Sequence, residues 1–222
     1  RVTISKNFKI VCSILILVGI ATFVAGFLTN PKQTWGNYLL NNYYFLSLAI
    51  GAMFFLALQY ISQSGWSAGF KRIPEAMGQY IPIAAVFFIL IYFGMHSLYH
   101  WTHIEEVAHD EILQHKAPYL NIPFFMIRLV IYFTAWIILY RIIRKLSLKE
   151  DEFGGMEYFE KSEFWSKVFI FVLAITFSLT SFDLIMTLDP HWYSALFALK
   201  NFVAAFHHRS AIIMLIVLIL ND

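Results

Sequence analysis

The sequence has one cysteine and little charge. Cys12 stands alone among 222 residues, so the chain offers no disulfide, no Cys-x-x-Cys-His haem-c motif and no iron–sulfur ligand set. Any covalent haem or cluster working with this chain sits on another polypeptide. Charged residues fill 14% of the positions against 59% for hydrophobic ones, and mean hydropathy is +0.65. That is the balance of an all-α integral membrane protein. Nucleotide loops, nucleophile elbows and internal repeats are missing, and a formal charge of +2 makes no case for nucleic acid. A cleavable signal is missing too, since the first apolar run lacks a small-x-small site and is long enough to span. The chain begins at Arg1 and ends at Asn221-Asp222, just past an apolar run, which leads us to expect a piece of a longer polypeptide.

What is present is a series of apolar runs of about 19–25 residues, each able to cross a bilayer core of roughly 30 Å. Six spans are expected, at Ile10–Leu28, Tyr43–Ile61, Tyr80–Tyr99, Ile122–Tyr140, Trp165–Leu188 and Leu196–Leu220. No span has a Gly or Pro interruption near mid-membrane. Loops on one side hold Arg1, Lys6, Lys9, Lys71, Arg72, Arg141, Arg144, Lys145, Lys149, Lys161 and Lys167; the other side holds Lys32, Lys116 and Lys200. Eleven against three puts the N-terminus in the cytoplasm.

The stretch Thr176–Tyr193 organises the rest. Thr176, Thr180, Asp183 and Thr187 share a helix face within roughly 60°, and an acid at such depth is costly unless partnered. With the orientation above, ionisable groups from four spans gather in the periplasmic half. Span three ends in Tyr92, His96, Tyr99, His100 and His103, near one face; span four brings Asn121, Arg128 and Tyr132. Span five brings Asp183, and span six brings Lys200, His207 and His208. A buried His–Asp pair and the Thr hydroxyls would suit proton transfer. Blander readings stand beside these: His96 and His100 as interfacial residues, Arg128 snorkelling or pairing with Asp183, and His207 and His208 in an interhelical hydrogen bond. Arg209 faces away from His207, towards helices outside this chain. In the loops, Gly65–Glu75 reads as an interfacial segment and His103–His115 as an acidic surface helix rather than a zinc site. Arg141–Glu163 reads as solvated, and Asp189-Pro190 as the N-cap and first turn of span six.

Four stretches resemble a known family: Trp66–Glu75, Leu98–Trp101, Tyr119–Arg128 with Tyr132-Phe and Trp136, and Ser181–Ser194. They are similar to the NrfD/polysulfide-reductase membrane-subunit family, and within it to the large membrane subunits of bacterial alternative complex III, a quinol:cytochrome c oxidoreductase. Phe197–His208 resembles the second of its two paralogous subunits, the ActF type. The resemblance implies about ten helices in two four-helix bundles. This chain would supply an N-terminal segment with the first span (1–42), the first bundle from spans two to five (43–190) and the opening helix of the second (191–222). It implies menaquinol or another quinol near the periplasmic face and no cofactor in this chain. Haem c and iron–sulfur clusters would sit on partner subunits, with a paralogous membrane subunit and a terminal oxidase as further partners, in a bacterial cytoplasmic membrane. It also places Asp183 with His96 or His100 at the family's site positions. The rival classes are a haem-b anchor liganded by two of His96, His100, His207 and His208, a transporter or channel, and a structural scaffold.

Overall fold

The computed structural model describes residues 5–221. Arg1, counted in the charge bias, and Asp222, at the chain's end, lie outside them. The first helix, α1 (Lys6–Thr29), is capped by Ser5, whose hydroxyl accepts from the Phe8 amide, and none of its residues is buried. It leans on the next helix through Phe23, 5.7 Å edge-on to Trp35.

Helix α2 (Pro31–Ile61) starts well before the expected Tyr43. Asn30 caps it by accepting from the Gln33 amide, and Pro31 takes the first helical position, where its missing N–H is no loss. The extension is polar in composition, yet Trp35, Leu39 and Asn42 recur one or two turns apart and are buried. The division drawn between residues 42 and 43 therefore falls inside one helix.

A 3₁₀ turn (Trp66–Phe70) leads into α3 (Arg72–Gly78), α4 (Tyr80–Leu90), a second 3₁₀ turn (Ile91–Gly94) and α5 (Met95–Leu98). The span read as uninterrupted thus tightens towards its Leu98 end. Two short helices follow, α6 (Ile104–His109) and α7 (Glu111–Lys116). Then come α8 (Ile122–Phe153) and α9 (Met156–Leu184), joined at Gly154 and Gly155 with φ of 66° and 83°, where side chains other than hydrogen are strained. The segment Arg141–Glu163, expected as solvated loop, is the continuation of both helices. The 32 residues of α8 reach about 48 Å at about 1.5 Å per residue, well beyond a core of roughly 30 Å. The last helix, α10, begins at Phe197 (Phe197–Asn221). Asp189 therefore does not cap it, and instead accepts from the His191 amide in a local turn.

Among the described residues there is no strand. Six helices or helix series are long and apolar enough to cross a membrane: α1, α2, α3 to α5, α8, α9 with its 3₁₀ end, and α10. This is compatible with a multi-pass membrane protein. α2 packs on α9, α9 on α8, α8 on α4 and α4 on α2, closing a four-helix ring, and α10 lies against α2 and α9. Leu46, Ile50, Met53, Phe88, Phe125, Trp136 and Phe169 fill its centre.

Candidate functional site

Asp183 lies in the last turn of α9 with no exposed surface. Asn121 caps α8 by accepting from the Phe124 amide, and from that fixed start Arg128 and Tyr132, one turn apart, both reach α9. Arg128 grips the carboxylate with two donors, Nε to Oδ2 at 2.9 Å and Nη2 to Oδ1 at 3.1 Å. Its third nitrogen, Nη1, donates to the Tyr119 carbonyl at 2.9 Å. The Tyr119 hydroxyl donates to Oδ1 at 2.9 Å, and the Tyr132 hydroxyl, more distantly, to Oδ2 at 3.4 Å. The guanidinium plane is covered by the rings of Tyr119 and Phe124, 3.8 and 4.5 Å away. Below the cluster, the buried Tyr99 hydroxyl donates to the Leu184 carbonyl at 3.0 Å. A buried charge is tolerated when it is paired and its remaining lone pairs are occupied, and both conditions hold here.

All groups facing the carboxylate are donors. Donors so placed suit an anion. The Thr stripe lies on the expected face. Thr176, Thr180 and Thr187 donate to the carbonyls of Val172, Thr176 and Asp183, each one turn back, so each hydroxyl proton is committed to its own helix. Thr176 also accepts from the Trp136 indole N–H at 2.8 Å.

His96 and His100 are not brought to Asp183. At Tyr99 the backbone leaves helical geometry (φ −115°, ψ 117°), turning Tyr99 inward and both histidines out. His96 packs on His103, ring centres 5.2 Å apart, and His103 Nε2 lies 2.8 Å from the His96 carbonyl. Together with Tyr99, Lys32 and Glu106, the three histidines line an open cavity of about 380 Å³. His207 and His208 are exposed on α10, His208 beside Tyr44 at 5.7 Å between ring centres, and neither belongs to the cluster. Among the described residues no group of three or more His, Cys, Asp or Glu side chains is arranged to hold a metal ion.

Two participants escaped the sequence reading. Tyr119 lies outside every apolar run, yet its hydroxyl is pushed up to about 12, by burial first and then by the charge of Asp183. Glu75, at the other end of the bundle, is fully buried and receives Arg72, Arg144 and Ser147. Beside it Lys71 pairs with Glu150 and Asp151 at 3.3 and 3.0 Å, and the Tyr140 hydroxyl donates to the Glu75 carbonyl at 3.2 Å. The signal was a stripe at helical spacing, Tyr140 at the end of span four and Arg144, Ser147 and Asp151 within the supposed loop.

Compared with models of protein families and with curated proteins, the chain matches none.

Proposed function

We propose that the chain is a membrane subunit of a respiratory electron-transfer complex whose redox centres sit on other subunits. More particularly, it is the second large membrane subunit of a bacterial alternative complex III, within the NrfD/polysulfide-reductase membrane-subunit family. It lies in the cytoplasmic membrane with its N-terminus inside, beside a paralogous subunit and partners carrying iron–sulfur clusters and haem c.

One observation supports this reading most. Three of the four stretches that carry the resemblance, far apart in sequence, meet at a single buried point: Tyr99 from the first, Tyr119, Arg128 and Tyr132 from the second, and Asp183 from the third. The remaining stretch, Trp66–Glu75, supplies Arg72 and Glu75 to the network at the other end. In this reading Arg128 and Asp183 form a fixed-charge floor, and His96 and His100, at the open cavity, accept protons as quinol is oxidised.

The test is turnover. In the complex purified from its own membranes, a His96→Ala/His100→Ala variant, altered at exposed positions, assembles normally. Quinol-dependent cytochrome c reduction falls by roughly 10²-fold or more, the usual weight of a positioned proton acceptor. A second reading, a scaffold, is favoured by the donors that surround Asp183. Full turnover in the double histidine variant would select it.

A further inference from the structure

Of the three histidines around the open cavity, two are committed at one ring nitrogen each. The buried Thr102 hydroxyl oxygen stands 2.7 Å from the Tyr99 carbonyl oxygen and 3.3 Å from His96 Nδ1. A carbonyl can only accept, so the single hydroxyl proton goes to Tyr99, and the oxygen is left to accept from Nδ1–H. His96 therefore carries its proton on Nδ1 and keeps a lone pair on Nε2. His103 takes the opposite tautomer for the same kind of reason. Its Nε2, 2.8 Å from the His96 carbonyl oxygen, has to donate, which leaves the lone pair on Nδ1. Neither of these free nitrogens has a partner among the described residues.

Two bases side by side suit a molecule that gives up two protons. The rings of His96 and His103 are 5.2 Å apart between centres, close enough for one small molecule to meet both. The bonds to Thr102 and to the His96 carbonyl persist when either ring takes up a second proton, so neither ring has to turn. Like charges at that separation repel, and one proton moves on before the pair holds another. His100 and Glu106 line both this cavity and an adjoining one of about 670 Å³, which also contains His109, Asp110, Asp189 and His191. They stand where such protons leave. Lys32 is the remaining charged group of the first cavity.

We infer that His103, through Nδ1, is a proton acceptor of this cavity alongside His96. The inference rests on the quinol reading and adds a base to that site. Each O–H bond of the quinol breaks as its proton forms an N–H bond on one imidazole. The two electrons leave for the iron–sulfur or haem centres of the partner subunits, and a quinone remains. The test uses the complex purified from its own membranes, with a short-chain quinol as substrate. His103→Gln keeps an amide donor for the His96 carbonyl and removes the base. It should assemble in normal amount and lower kcat by roughly 10²-fold, with KM changed by less than about twofold. Wild-type kcat in His103→Gln beside a loss in His96→Ala overturns the inference and spares the quinol reading. Wild-type kcat in both variants overturns the two together. Loss of assembly in His103→Gln, or a KM rise that accounts for the lost turnover, also overturns the inference, because His103 then supplies only a turn or a binding contact.

Discussion

An acid buried in a greasy helix demands a partner, and Arg128 meets that demand with two donors. Removing one member of a buried pair strands the other at a cost of about 3–5 kcal/mol, whereas replacing both with apolar residues is often nearly neutral. Arg128→Leu and Asp183→Leu should each lower the thermal stability of the extracted complex sharply, and the double variant should recover most of it. A double variant as damaged as the singles would show that the two do not act as a pair. Asp183→Asn belongs with the single variants, because it leaves the guanidinium uncompensated. Tyr119 adds a pH dependence. Its folded value of about 12 lies above the unfolded one of 10.0, so the fold keeps a proton that the unfolded chain has released. The stability linked to this group is complete below about pH 10 and is lost as pH rises through about 12. The tyrosinate absorbance that wild type shows and Tyr119→Phe lacks should titrate near 12; a midpoint near 10 would mean that the hydroxyl is neither buried nor held by Asp183. The pairing of Arg128 with Asp183 was legible in the sequence because consecutive antiparallel spans bring both to one end. The outward turn of His96 and His100 was not, because it depends on a backbone change at Tyr99 that residue spacing does not encode.

At the scale of elements, hydropathy found where helices are lipid-soluble and missed where they go on. Residues 31–42, 141–153 and 156–163 are too polar for an apolar run, and they are helical because one stripe of each is buried on a neighbour. Glu75 holds α3 to α8 through Arg144 and Ser147. A glutamine there keeps the shape and loses the charge that two arginines require. Glu75→Gln should therefore speed amide hydrogen exchange across residues 66–78 by about tenfold, for a loss of about 1–3 kcal/mol locally. Unchanged exchange would mean that the network is ornamental to the docking of α3.

For the whole molecule, the six helices were legible because each apolar run is long enough to cross, whereas a bundle of spans two to five was expected only from the resemblance. The side of the membrane is carried by the Lys/Arg bias alone. The proposed activity joins three sequence motifs to one buried point, and it is tested most directly in the assembly purified through a tag on this chain. The account predicts quinol-dependent cytochrome c reduction that enriches in step with the chain through purification. An intact assembly, containing this chain in full amount and lacking that activity, would contradict it.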